Sequence, residues 1–219
     1  MWPLQRLPQA PGWRRVGRAN ALQVGYRTIV SKRFLLPDGV VRRFDTMDPE
    51  GTAIVAVIAL TEGGRVVVAR QFRPGPERLL EEIPGGVMDP GERDPQRAAL
   101  RELAEETGYT AQAVVGLGSM PRGAYSNATH HYFLALGCRL TLVPRPEPDE
   151  CIEVVLITPE KLLRNAREGR MTDGEAVFLA RDRLIAPPPP PPPAPVRFAV
   201  AAWGPGLPGT AECFAGRAV

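Results

Sequence analysis

"GERDPQRAALRELAEETGY", residues 91–109, decides how the rest of the chain is read. Asp94 followed by Pro95 is a helix start: an Asp side chain accepts from free backbone N–H groups, and proline suits the first helical position. Gly108 is the matching stop, because glycine closes a helix in the left-handed conformation without penalty. Between them Ala99, Leu100 and Leu103 supply an apolar face. Glu102, Glu105 and Glu106 crowd the last turn. The helix end already carries partial negative charge there, so each acid costs about 0.3–1 kcal/mol. Glu102 and Glu106, four residues apart, also share one side of the helix and repel. Something positive must compensate, and Arg101 stands beside them. The preceding loop, "IPGGVMDPGE" (83–92), lets backbone approach closely and adds Glu92. A lone Glu-Glu pair is usually a solvated face. This spacing, with a glycine loop and an arginine, fits a cradle of hard oxygen ligands for Mg²⁺, with Mn²⁺ as the alternative.

The flanking segments carry strand patterns. "TAIVAVIAL" (52–60) and "RVVVARQF" (65–72), joined by "TEGG", predict a hairpin whose almost wholly apolar strands are buried on both faces. Upstream, "LQVGYRTIV" (22–30) and "VVRRFDTM" (40–47) predict two strands around a Pro37-Asp38-Gly39 turn. Downstream, "VVGLGSM" (114–120), "HHYFLALGC" (130–138) and "CIEVVLI" (151–157) read as strands. Thr158-Pro159 predicts a helix start, and Thr172 with Glu175 a capping box for a last helix to about Arg183. The fold class is therefore a mixed α/β (α+β) domain of antiparallel character, and no G-x-G-x-x-G follows a strand.

Composition narrows the function classes. Net charge is +3 (27 basic against 24 acidic residues), too mild to call for a nucleic-acid partner. No acid precedes Asp38, so a basic N-terminal arm that binds nucleic acid or a membrane surface is the alternative reading. No apolar run approaches the roughly 18 residues of a membrane helix, and no secretory segment follows Met1. Cys138, Cys151 and Cys213 fit neither a disulfide framework nor a zinc site. Cys138 and Cys151 read as small core residues. The expected class is a cytoplasmic enzyme or binding protein.

The chain divides by composition. Residues 1–21 read as a basic, poorly ordered arm, 22–50 as N-terminal strands, 51–185 as the main domain and 186–219 as a proline-rich disordered tail. Pro187 to Pro193 is unbroken and reads as polyproline II. A spacer is the expected role of the tail; a ligand for proline-reading domains is the alternative.

These residues resemble the Nudix hydrolase signature, G-x5-E-x7-R-E-U-x-E-E-x-G-U, with U bulky and apolar. Gly86, Glu92 and the run from Arg101 to Tyr109 match it. One residue is added between Glu92 and Arg101, read as lying in the loop before Asp94. "VVVARQFRPGPERLLEEIPGG" (66–86), "RGAYSNATHHYFLA" (122–135) and "PDECIEVVLITPEKL" (148–162) extend the resemblance over about residues 22–185. They look like the ADP-ribose pyrophosphatase and nucleoside-diphosphate-sugar hydrolase branch.

The resemblance implies an α/β/α sandwich of mixed sheets with an N-terminal β arm, and a homodimer that exchanges N-terminal strands. It implies that Glu102, Glu105 and Glu106 ligate metal with the Gly85 carbonyl, that Arg101 holds the carboxylates, and that Glu92 stands behind them. Arg73 would face the diphosphate and Glu82 the substrate's polar groups. The implied reaction splits a nucleoside diphosphate linked to a sugar, ADP-ribose giving AMP and ribose 5-phosphate. Another nucleotide sugar or NADH is the alternative substrate, and a non-catalytic Nudix-fold binding domain the alternative class. The loop 118–131 contains no acid, so the base is sought in Glu147, Asp149 and Glu150. Glu150 matches the family's catalytic Glu, with Glu153 the runner-up. Trp13 and Tyr26 are candidates to stack a base. His130 and His131, adjacent on a strand, point to opposite faces, so one is expected packed and the other exposed.

Overall fold

The computed structural model describes residues 10–147 and 150–185. The expected proline-rich tail, 186–219, and the first nine residues of the basic arm lie outside them. Among the described residues no helix is long and apolar enough to cross a membrane.

The N-terminal strands β1 (Arg14–Val24), β2 (Arg27–Leu35) and β3 (Val41–Met47) form an antiparallel sheet. The Pro37–Gly39 turn closes β2 onto β3. Leu36 N–H donates to the Val40 carbonyl at 2.9 Å, and the Val40 N–H to Asp38 Oδ1 at 2.9 Å. Strand structure begins at Arg14, inside the stretch expected to be a loose arm. Its weak apolar pattern hides a strand that pairing with β2 holds in place, while Trp13 packs on Phe34 and Phe44 with ring centroids 6.5 and 6.0 Å away.

The main sheet is built on the expected hairpin, β4 (Ala53–Thr61) and β5 (Val66–Arg73). Its order is β11 (Glu153–Ile157), β5, β4, β10 (Thr129–Leu140), β8 (Tyr109–Thr110). β6 (Arg78–Glu82) pairs with β5, β7 (Gly85–Val87) with β4 and β9 (Ala113–Pro121) with β10. β4 and β10 run parallel; the other pairs are antiparallel. The side-chain period of two explains the layers. Val55, Val57, Ala59 and Val67 face Ala98, Ala99 and Leu103 of helix α1 (Pro95–Thr107). Ala56, Ile58, Val66 and Val68 face the opposite layer, α2 (Pro159–Arg167) and α3 (Gly174–Ile185), through Leu162, Val177 and Ala180. The result is an α/β/α sandwich with both faces of β4 buried. Removing one such side chain, as in Leu103→Ala, costs about 2–5 kcal/mol.

Three local readings change. Ala98 rather than Leu100 completes the buried face of α1, because the half-buried Leu100 lies at its edge. β11 begins at Glu153, leaving Cys151 exposed while Cys138 is buried. Thr172 does not form a capping box with Glu175. Its N–H and hydroxyl both donate to Glu82, at 3.1 and 2.5 Å, since a buried carboxylate competes better for them than an exposed helix end.

Candidate active site

Helix α1 carries the site. Asp94 Oδ1 accepts from the Gln96 N–H at 3.0 Å, Pro95 opens the first turn, and Gly108, with φ of 74°, donates to the Ala104 carbonyl. Helix α1 is unbroken from Pro95 to Thr107, so the helical spacing of the acids is intact. In the preceding loop the Asp89 N–H donates to Glu92 Oε2 at 2.7 Å.

Arg101 supplies the positive charge that the last turn requires. Its Nε and Nη2 donate to Glu92 at 3.1 and 3.0 Å, and Nη1 lies 2.8 Å from Glu105 and 3.0 Å from Glu102. These contacts, Glu92 foremost, raise its pKa further, so it is charged at any working pH. Glu92 therefore acts on the helix acids only through Arg101.

The three acids have different surroundings. Glu105 is 46% exposed and turned to Arg101. Glu102 is mostly buried; burial first, then Glu105 and Glu150, push its carboxyl up to about 7 against the pull of Arg101. Glu106 is 3% exposed, and burial first, then Glu150 and Glu102, push it up to about 9. The Gly85 backbone donates a hydrogen bond to it, yet Glu106 Oε2 is buried without a partner. An orphaned buried carboxylate oxygen costs about 1–3 kcal/mol, more when charged, unless something fills the vacancy. Gly86 abuts Glu102 so closely that a Cβ there would lie 2.6 Å from Oε1.

As they stand, no three acid, histidine or cysteine side chains among the described residues converge to hold an ion. Glu105 is paired with Arg101 at 2.8 Å. The chemistry of the remaining donors still fits a divalent cation. Glu102 and Glu106 offer hard oxygen donors that resist ionising together, and one of them has an unpartnered oxygen.

These acids line a cleft of about 340 Å³ together with Asp89, Arg145, Glu147 and Glu150. Glu150 Oε2 accepts from the Glu147 N–H at 3.0 Å. Glu153 stands elsewhere, exposed and 2.9 Å from Arg70. A larger, more open depression of about 710 Å³ is lined by Arg70, Arg78, Glu81 and Arg170. It lies away from the helix acids. Its charges satisfy one another, Arg70 on Glu81 and Arg170 on Glu168, so the smaller cleft is the candidate site.

Arg73, at the end of β5, is 38% exposed and forms an ion pair with Glu82. Glu82 is 0% exposed, and Arg73 and Thr172 occupy its oxygens. This corrects the expectation that Glu82 meets the substrate: a sealed carboxylate can only hold Arg73. Next to Thr172, Asp173 is half-buried and pushed up to about 7, by desolvation and then by Glu82 and Glu175. His130 is buried and held down to about 4, so it is neutral. Its Nδ1 lies 3.0 Å from the Tyr132 hydroxyl and 3.6 Å from Asp173, the latter beyond hydrogen-bond reach. His131 is half-buried with Nδ1 2.7 Å from Ser119 Oγ, so neither histidine is fully exposed. Trp13 is committed to Phe34 and Phe44, whereas Tyr26 is exposed with the Arg27 guanidinium 4.9 Å over its ring.

Sequence reasoning passed over Arg145, Thr172 and Asp173. Arg145 sits in "PRPEPDE", where only the alternation of prolines marks the segment. Thr172 and Asp173 look like ordinary capping residues, and nothing local in sequence announces the buried carboxylate above them.

The NUDIX domain model matches residues 51–181. The chain is 32% identical over 145 residues to the ADP-ribose pyrophosphatase of Bacillus subtilis (strain 168), covering 65% of this chain and 77% of that protein. It is 31% identical over 145 residues, with the same two coverages, to the methanol dehydrogenase activator of Bacillus methanolicus. A solved ADP compounds hydrolase superposes with a TM-score of 0.63 at 22% identity, over 77% of this chain and 95% of that one, which supports the shared fold. With its helix acids Glu102, Glu105 and Glu106 on one cleft of an α/β/α sandwich, the chain belongs to the Nudix family and is a Nudix hydrolase.

Proposed function

We propose that the protein is a divalent-metal-dependent diphosphatase of nucleoside diphosphates linked to a sugar, with ADP-ribose as the preferred substrate and AMP and ribose 5-phosphate as products. The observation that carries this reading is the unpartnered, buried Oε2 of Glu106, in one cleft with Glu102 and Glu150. Similarity to the B. subtilis ADP-ribose pyrophosphatase supports the substrate class.

Glu102 and Glu106 would hold Mg²⁺ or Mn²⁺, with Glu105 and the Gly85 carbonyl as the further ligands. A bound divalent ion neutralises the diphosphate and lowers the pKa of its water. Arg101, fixed by Glu92, would steady the carboxylate of Glu102. Glu150 takes the proton of the attacking water; it lines the cleft and is not needed as a ligand. Arg73, braced by Glu82, offers its guanidinium to the substrate's anionic groups. One water adds across the P–O–P linkage, so each product leaves with one phosphate.

The test is a panel of ADP-ribose, ADP-glucose, GDP-mannose, UDP-glucose, NADH and nucleoside triphosphates, each with Mg²⁺ and with Mn²⁺, read by product chromatography. ADP-ribose turned over fastest to AMP and ribose 5-phosphate is the expected result. Preference for NADH or another nucleotide sugar changes the substrate. Binding without turnover replaces the enzyme reading by a binding domain. We also propose that the N-terminal sheet pairs two copies of the chain, since Leu22, Val24 and Val41 are exposed on it. Light scattering that shows only monomer at micromolar protein refutes the dimer.

A further inference from the structure

The charge of the cleft leaves one problem that a metal ion alone does not solve. Six acids line it, Asp89, Glu102, Glu105, Glu106, Glu147 and Glu150, against two arginines. A diphosphate entering such a surface is repelled. Arg101 offers little help, because Glu92, Glu102 and Glu105 already engage its guanidinium. Arg73, paired with Glu82, is not among the residues that line the cleft. Arg145 is the remaining cation on the cleft, and it makes no ion pair among the described residues.

Its backbone is firmly placed. The Arg145 N–H donates to the Glu105 carbonyl at 2.6 Å, at the C-terminal end of α1. Thr141 and Leu142 both donate to the Gly108 carbonyl, at 3.1 and 3.0 Å. A Cβ on Gly108 would lie 2.4 Å from the Leu142 carbonyl oxygen, so glycine is required for this segment to sit against the helix. Pro144 and Pro146 restrict the chain on either side of Arg145. The helix that carries the metal acids thus also anchors, at the same cleft, a guanidinium with no ion pair among the described residues. A planar guanidinium with five N–H donors matches two phosphate oxygens at once.

We infer that Arg145 is a substrate-binding residue that grips the diphosphate beside the metal acids. This rests on the reading of the substrate as a diphosphate. The expected result for Arg145→Gln is a KM for ADP-ribose raised roughly tenfold or more, the usual scale for losing a hydrogen bond to a charged group, with kcat changed far less. Arg145→Lys, which keeps the charge but not the fork, falls between. The Mg²⁺ concentration for half-maximal activity stays at the wild-type value; a segment that had merely shifted would drag Glu105 and move it. Calorimetric titration with inorganic pyrophosphate and Mg²⁺ provides a readout independent of turnover. Binding weakened roughly tenfold in Arg145→Gln supports the assignment even where the wild type hydrolyses no nucleotide sugar, a result that would sink only the substrate reading. Pyrophosphate affinity within twofold of wild type, in a variant with an unchanged melting temperature, overturns it. So does a shifted Mg²⁺ requirement.

Discussion

Glu102 Oε1 stands where a side chain on Gly86 would begin, 2.6 Å from an ideal Cβ. The glycine of the loop and the acid of the helix are thus one packing unit. Gly86→Ala pushes the Glu102 carboxylate off its position. Metal affinity falls roughly tenfold or more, as for other disturbances of ligand placement. The check is the Mg²⁺ concentration for half-maximal activity, which stays unchanged if the contact has no role.

Glu106→Gln keeps the shape of the side chain and removes its charge. We expect kcat to fall by roughly 10²-fold or more, about 2.7 kcal/mol in the barrier. The metal-free protein should melt close to wild type at neutral pH, because burial, raising the Glu106 carboxyl to about 9, already keeps it protonated there. Unchanged turnover at saturating Mg²⁺ removes Glu106 from the ligand set.

Glu150 and Glu153 are three residues apart yet stand in different surroundings. Glu150 lines the cleft; Glu153 is exposed on Arg70. Glu150→Gln should lower kcat by roughly 10² to 10⁴, the range for losing a general base, while KM moves much less. Glu153→Gln should stay near wild type. The reverse pattern in steady-state kinetics would transfer the role to Glu153.

Asp173 makes stability depend on pH. Glu82 of β6, Glu175 of α3, Arg73 of β5, Arg122 after β9 and His130 of β10 surround it. Burial, then Glu82 and Glu175, raise its carboxyl from 3.8 to about 7. A raised folded value leaves stability intact below about 4 and removes it as pH rises through about 7. Asp173→Asn escapes that loss, and His130, present in both proteins, cancels in the difference. The melting temperature of the variant relative to wild type should therefore climb between pH 4 and 7 and then level off. A difference that does not change with pH contradicts this account.

Much of the site is local, and local patterns are readable. The Asp94-Pro95 start, the Gly108 stop and the i, i+4 relation of Glu102 and Glu106 follow from helix geometry alone. Arg101 could be paired with those acids because they share a short segment. Glu82 shows the opposite case. The family resemblance suggests a side chain that meets the substrate, but Thr172 and Arg73 close its oxygens off. Whether a carboxylate is sealed or open depends on residues 90 positions away, as with Thr172.

The sequence alone determined the family signature, the β4–β5 hairpin and the limits of α1, because each depends on periodicity, capping and turn chemistry within a few residues. Tertiary structure decided which acid is buried, since burial depends on what packs above it. It buried Glu106 in the wall of the cleft and left Glu105 46% exposed. It also brought Arg145 to the end of α1 through contacts at Gly108, a neighbourhood that chain spacing does not encode.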